Sequence, residues 1–215
     1  GLFTAVLSGR PLGVPDSPAA PRIGLCLTPQ WQHAQTEVQE LFGRLGGELS
    51  RAGATVADFS LPPPYEKMHD APETIWDYEV ARCLTSEHAL HRDKIREPLL
   101  GQIERGLAMP WEDYERAMAI AREGRRGFGT VMGDFDVLVV PSSAGEAPKG
   151  HAATGLPYFN RTWSLLHTPA VHVPYGTGPN NLPIGFQVVG RIGEDARTLA
   201  CAPCMQWNGA SPESP

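Results

Sequence analysis

The side chains best suited to nucleophilic chemistry lie together in one stretch, PSSAGEAPK at 141–149. It contains adjacent hydroxyls at Ser142 and Ser143 and a basic group at Lys149. A serine hydroxyl attacks a carbonyl carbon only when a base takes its proton, and a lysine kept neutral by burial can be that base. However, the stretch contains Gly145 alone where an oxyanion-binding loop needs several glycines, and nothing in the pattern buries Lys149. We therefore expect Ser142 and Ser143 to form loop hydrogen bonds beside a cleft.

Histidines provide the other candidate chemistry, and none forms a strong motif. His88 and His91 are spaced i, i+3 in EHALH, whereas zinc needs a third ligand and is signalled better by i, i+4 spacing, so a solvated helix face is expected. His151, His167 and His172 are close in sequence but have no Gly-x-Ser-x-Gly elbow. No cofactor and no metal are predicted.

Composition limits the class of protein. The chain of 215 residues is 41% hydrophobic and carries a formal charge of −6, with its basic residues scattered, which argues against a nucleic-acid partner. No apolar run approaches the ~18 residues needed to cross a membrane, and the start at Gly1 has no secretory pattern, so the predicted compartment is the cytoplasm. Cys201 and Cys204 have the spacing of a redox or half-zinc pair without a second pair, and we expect small side chains on a terminal helix.

The elements that must position these groups follow from periodicity. A strand at 22–27, a helix at 36–52 and a strand at 55–59 make a β-α-β unit, which implies parallel strands covered by a helix. The remaining predictions are helices over most of 72–133, a strand buried on both faces at 136–140, a loop at 142–157, a short helix at 158–166, strands at 170–173 and 184–189, and a helix at 195–205. Residues 208–215 are predicted to be a disordered tail.

Four blocks in fixed order carry a resemblance: DFDVLVVPSS at 134–143, TG at 154–155, YFNRTWSLLHTPAVHVPYG at 158–176, and LPIGFQVVGRIGEDARTLA at 182–200. Together with PRIGLCLTPQW at 21–31, they resemble the carboxy-terminal half of amidase signature enzymes, which hydrolyse carboxylic amides with a Ser-Ser-Lys triad. The resemblance implies an α/β fold, a mixed β-sheet flanked by helices. Residues 1–207 would form the carboxy-terminal portion of that domain.

The resemblance also implies where the chemistry is. The family's Gly/Ser-rich loop and its lysine would lie upstream of Gly1, so the isolated chain is expected to be inactive. Its contribution would be the acyl side of the pocket for a small-molecule amide substrate, with a homodimer possible and no membrane partner. The positions that match the family's substrate-facing loop and helix are Ser142, Ser143, Thr154, Tyr158, Phe159 and Trp163. Phe159 and Trp163 are four residues apart, so packing of the short helix onto the sheet is an alternative for both.

The segment HTPAVHVPYGTGPNNLPIG at 167–185 departs from the family pattern at His167 and Asn181, where glycine is usual. Asn tolerates left-handed backbone geometry, so the loop is expected to be a fixed chain reversal. Pro174 and Pro183 are expected to end the two strands, because proline cannot donate to a ladder. Two other functions remain open: a non-catalytic descendant that binds an amide or a protein, and the amidotransferase subunit that acts in tRNA-dependent amidation.

Overall fold

A five-stranded mixed sheet forms the centre of the molecule. The computed structural model describes residues 9, 13–150, 154–202 and 205. The strand order in the sheet is β2-β1-β3-β5-β4, and the strands are β1 (Arg22–Leu25), β2 (Thr55–Asp58), β3 (Val137–Pro141), β4 (Ala170–Thr177) and β5 (Pro183–Val189). The predicted tail at 208–215, His151 and Cys204 lie outside the described residues.

Helices cover both faces of this sheet, as the resemblance implied. Those in the described residues are α1 (Thr36–Arg51), α2 (Pro63–Glu66), α3 (Ala71–Cys83), α4 (Thr85–His91), α5 (Leu99–Ala108), α6 (Trp111–Val131), α7 (Arg161–Leu166) and α8 (Asp195–Cys201). Short 3-10 turns occupy Trp31–His33, Lys67–His69 and Arg92–Lys94. The predicted α/β class and the predicted helical region at 72–133 are confirmed.

The predicted β-α-β unit is present. Strands β1 and β2 pair in parallel with Ile23 opposite Val56, and α1 crosses between them. The buried face of α1 consists of Val38, Leu41, Phe42, Leu45 and Leu49. Because these positions recur at the 3.6-residue period, the helix presents one apolar stripe to the sheet and leaves its other face to solvent.

Strand β3 divides the core into two halves. It pairs in parallel with β1 and antiparallel with β5, and all of its residues are buried. Val137 and Val139 pack in the cluster that includes α1, whereas Leu138 and Val140 pack in the cluster that includes α6 and α7. Alternate side chains of a strand point to opposite faces, so one short strand contributes to both cores.

The hairpin of β4 and β5 corrects one prediction. Pro174 does not end the first strand, because β4 continues to Thr177 with a register shift between Pro174 and Gly176. This is possible because β4 is an edge strand with half of its residues exposed, and an edge position needs no N–H donor on its outer side. Asn181 adopts a left-handed φ of 62° in the reversal between the strands.

The helical region is held by an unusually close approach of α3 and α5. A Cβ atom at Gly106 would lie 1.9 Å from the carbonyl oxygen of Asp77. Asp77 is buried, and one of its carboxylate oxygens accepts a hydrogen bond of 2.7 Å from Arg105 Nε. Glycine at 106 therefore allows the two backbones to touch where a charged pair also joins the helices.

Substitution of Gly106 by Ala tests this contact. The added methyl group forces the helices apart, and overpacking of this kind costs roughly 1–3 kcal/mol of the free energy of unfolding. Gly47→Ala on the exposed side of α1 is the matched control, since nothing lies within 4 Å of the added atom. The control should be stabilised by about 0.5–1 kcal/mol, because alanine is the better helix former. Equal shifts of both variants in denaturant unfolding would contradict the close approach.

Candidate functional site

The sheet brings several loops to one rim. Because β1, β2 and β3 are parallel, their carboxyl ends at Leu25, Asp58 and Pro141 lie on the same side of the sheet. Strand β4 runs in the same direction, so the reversal at 178–182 also reaches this side. Ligands of open α/β sheets bind in the crevice outside the carboxyl ends of the strands. We call this edge, with the loops that follow the three strands and the reversal at 178–182, the rim.

Ser142 and Ser143 lie at the rim directly after β3. The hydroxyl of Ser142 donates to the carbonyl oxygen of Gly185 at 3.1 Å, and the hydroxyl of Ser143 donates to that of Gly145 at 2.8 Å. Lys149 is exposed. Both hydroxyls are thus directed at backbone carbonyls, which is the loop hydrogen bonding expected from the sequence.

Tyr158 stands between loops that come from other strands. Its ring stacks on the imidazole of His33 with a centroid distance of 3.8 Å and an interplanar angle of 2°. The imidazole of His69 lies 6.2 Å from the same ring at 19°. His33 follows β1 and His69 follows β2, so Tyr158 joins the loops after three neighbouring strands.

His69 has a cationic environment and an unused nitrogen. Its Nδ1 is buried and has no hydrogen-bond partner among the residues that the structure describes. Burial lowers the pKa of His69, and the charges of Arg161 and His33 lower this pKa further, against the opposing effect of Asp70 and Glu73. We therefore expect His69 to be neutral at pH 7, with Nδ1 able to bind a polar group.

The other aromatic candidates are inside the protein. Phe159 and Trp163 are each 2% exposed and belong to the two core clusters, and the indole of Trp163 lies 6.0 Å from the ring of Phe128. This burial favours the alternative stated above, that both rings pack the short helix onto the sheet. Thr154 is exposed in the loop before that helix.

A cavity of about 400 Å³ opens at the ends of β1 and β2. Its lining includes Leu25, Cys26, Thr28, Phe59, Leu61 and Glu66. Burial raises the pKa of the Cys26 thiol to about 11, despite backbone hydrogen bonds from Thr28 and Leu61 that lower it. Cys26 is therefore a protonated structural thiol and not a nucleophile at neutral pH. Thr28 has a left-handed φ of 66°, which is rare for a β-branched residue.

The order of motifs, the mixed sheet and the serine loop at its rim agree with one known family. A family model described as Amidase matches residues 12–199. The chain belongs to the amidase family. The family predicted from the motif order is therefore confirmed, and the mixed sheet with its flanking helices is the fold of this family.

Similar proteins show how much of an amidase the chain spans. The human protein "Fatty-acid amide hydrolase 2" is 30% identical over 110 residues, which cover 50% of this chain and 21% of that protein. A glutamyl-tRNA(Gln) amidotransferase subunit from Pseudothermotoga lettingae is 38% identical over 78 residues, which cover 34% of this chain and 16% of that protein. A crystal structure of an amidase superposes with a TM-score of 0.81 at 24% identity, covering 95% of this chain and 49% of that one. The chain thus corresponds to about half of this solved amidase.

Sequence reasoning did not single out His33 and His69. Each follows a predicted strand after a short polar segment, PQWQH after β1 and YEKMHD after β2. The signal that was present is topological: polar residues that follow neighbouring parallel strands meet at one edge of a sheet.

Metal ligands and membrane-spanning helices are both missing from the described part of the chain. Across 13–150 and 154–202, no three His, Cys, Asp or Glu side chains are grouped in a way that would hold a metal ion. None of the helices that the structure describes is both long and apolar enough to cross a membrane.

The environment of His69 predicts its titration. In NMR titration of the ring protons, His69 should have a midpoint below the ordinary histidine value, and Arg161→Gln should raise that midpoint because it removes a nearby cation. Between the folded and the ordinary pKa the unfolded chain binds more protons, so His69 makes stability rise with pH across that window. Arg126→Gln, on the exposed side of α6, is the control. A His69 midpoint that does not respond to Arg161→Gln would contradict the assigned environment.

Proposed function

We propose that this chain forms the substrate-binding side of an amide hydrolase, and that the groups which break the amide bond belong to another part of the polypeptide. The observation that carries the proposal is the rim, where Ser142, Ser143 and Tyr158 meet His33 and His69 at the carboxyl ends of the strands. Its loops provide hydrogen-bonding and aromatic groups. Lys94 and Lys149 are exposed, so neither has the burial that a neutral lysine base requires.

The proposed reaction follows the chemistry of the family. A serine activated by a second serine and a neutral lysine attacks the amide carbonyl, the amine leaves, and water then releases the carboxylic acid. In this division of roles Tyr158 provides an aromatic wall for the acyl group, and Ser142 and Ser143 line the rim beside it. Thr154 belongs to the same proposed surface. Phe159 and Trp163 support that surface from the core.

Strand β2 marks the side on which further chain would pack. Its outer N–H and C=O groups have no ladder partner within the described residues, and it contains neither proline nor a register shift. An adjacent groove of about 340 Å³ is lined by Leu25, Leu27, Trp31, Phe42, Gly46 and Asp58. The opposite edge differs, because Pro174 and the register shift interrupt β4. Unprotected strand edges pair readily with other chains, so we place the catalytic half, or a second copy in its absence, against β2.

A second candidate is the amidotransferase subunit. Relatives named as glutamyl-tRNA(Gln) amidotransferase subunits come from three organisms, and the one from Thermotoga maritima has a solved structure with a TM-score of 0.67 at 21% identity. This favours ammonia transfer as the alternative use of the same cleft. The proposal of a cytoplasmic protein fits both candidates, and free thiols at Cys26 and Cys83 agree with a reducing compartment.

The division of roles predicts that the 215-residue chain alone does not turn over simple aryl or alkyl amides. The measurement is release of amine from such substrates at neutral pH, with Ser142→Ala and Ser143→Ala as variants. Hydrolysis by the chain that Ser142→Ala abolishes would assign the nucleophile to this loop and overturn the proposal. In the gene, a lysine codon and a later Gly/Ser-rich segment in frame upstream of Gly1 are expected.

The open edge predicts self-association. In sedimentation velocity the isolated chain should form dimers or larger species as concentration rises, since β2 offers unpaired backbone groups beside an apolar groove. Val56→Pro removes a donor from β2, and Val171→Pro makes the matched change on β4. Only the first should reduce association. A chain that stays monomeric, or equal behaviour of the two variants, would contradict the assignment of the open side.

A further inference from the structure

The carboxylate of Glu146 is the meeting point of separate segments at the rim. Its Oε1 accepts hydrogen bonds from the backbone N–H groups of Asn180 and Leu182, both at 3.0 Å. Its Oε2 accepts from the side-chain amide of Asn180 at 2.7 Å. One carboxylate thus holds the reversal at 178–182, although 34 residues separate Glu146 from Asn180.

The same loop is also tied to the start of α1. The backbone N–H of Gln35 donates to the carbonyl oxygen of Ala144 at 2.6 Å, and the N–H of Glu146 donates to Oε1 of Glu37 at 3.4 Å. The segment Ser142–Glu146 is therefore fixed between α1 on one side and the hairpin on the other. Ser142 and Ser143 lie within this fixed segment.

Two glycines make the approach possible. A Cβ atom at Gly178 would lie 2.5 Å from Cγ of Glu146, and one at Gly145 would lie 2.1 Å from Oε1 of Gln35. Any other residue at these positions would push the Glu146 side chain or the α1 side chains away. The close packing on both sides of Glu146 indicates a built contact and not a chance surface pair.

The charge of Glu146 is maintained in this setting. Desolvation raises the pKa of Glu146, but the hydrogen bonds from Asn180 and Leu182 outweigh it, so the pKa lies below its ordinary value. The contact is thus complete above the ordinary carboxyl pKa and weakens as the pH falls through the lowered value. Glu37, on α1, is the other titratable group that faces this segment.

We propose that Glu146 is a positioning residue that holds the serine loop and the hairpin reversal together and so fixes where Ser142 and Ser143 stand at the rim. The role in catalysis rests on the proposed function, since a fixed loop matters to turnover only if substrate binds there. The contact itself can be measured in the 215-residue chain without any substrate.

The first experiment is amide hydrogen exchange of the chain, normalised to intrinsic exchange rates. In Glu146→Gln, protection of the Asn180 and Leu182 amides should fall roughly tenfold or more, because hydrogen bonds to a charged acceptor are replaced by weaker neutral ones. Glu40→Gln on α1 is the control and should leave these amides unchanged. Unchanged protection in Glu146→Gln would overturn the proposal.

A pH series separates this role from general stability. Protection of Asn180 and Leu182 in the unmodified chain should decrease as the pH falls below the ordinary carboxyl range, and in Glu146→Gln it should be low and independent of pH. The amides of β3 should stay protected in both. If the glutamine variant unfolds, Asn180→Ala removes one donor, keeps the carboxylate, and should lower protection of Leu182 alone. A pH dependence that survives in Glu146→Gln would assign the effect to Glu37 and overturn the proposal.

The kinetic consequence is measured in a longer in-frame polypeptide that hydrolyses amides. Glu146→Gln should raise KM several-fold and change kcat less, because it loosens a binding surface and does not touch the reacting atoms. Equal KM values for Glu146→Gln and Glu40→Gln would overturn the positioning role. A fall in kcat at constant KM would overturn it as well.

Discussion

The placement of strand β3 controls the geometry of the whole molecule. It has β1 parallel on one side and β5 antiparallel on the other, and its side chains enter both cores. Because its residues are buried on both faces, a slip in register would place several apolar groups in the wrong layer at once. The fixed register therefore sets the point at which the chain leaves the sheet at Pro141, and with it the position of the serine loop.

Polar contacts then fix the loops that leave the sheet. The buried amide of Gln187 donates to the carbonyl oxygens of Pro141 and Phe159 at 2.9 and 2.8 Å, which ties the start of the serine loop to the turn before α7. The side-chain amide of Asn160 donates to the carbonyl oxygen of Ser142 at 3.2 Å. Buried backbone groups need partners, and here side chains from distant segments provide them. The rim is consequently a network of fixed loops on a rigid sheet, a suitable base for a binding surface.

Local periodicity was sufficient to predict most of the elements. The apolar stripe of α1 and the continuous run of β3 are strong patterns, and tertiary contacts did not override them. The two departures from the family pattern were also informative: His167 and Asn181 both have positive φ, at 56° and 62°, which explains why glycine is usual there and why these two residue types are tolerated.

The sequence could not show which polar residues meet. The stack of His33 on Tyr158 and the contacts of Glu146 join segments far apart in the chain, and single polar residues have no periodicity that would reveal such pairs. The prediction for Pro174 was wrong because the sequence did not indicate that β4 is an edge strand, where proline is permitted. Phe159 and Trp163 matched the family's pocket positions, but their helical spacing was the better guide to their burial.

The central claim is that the rim binds the amide while another part of the polypeptide attacks it. Labelling with a fluorophosphonate, which reacts with activated serines, tests this most directly when the adduct is mapped by mass spectrometry in a longer in-frame polypeptide. The account predicts an adduct on a serine outside residues 1–215 and none on Ser142 or Ser143. An adduct on either of these two serines would contradict it.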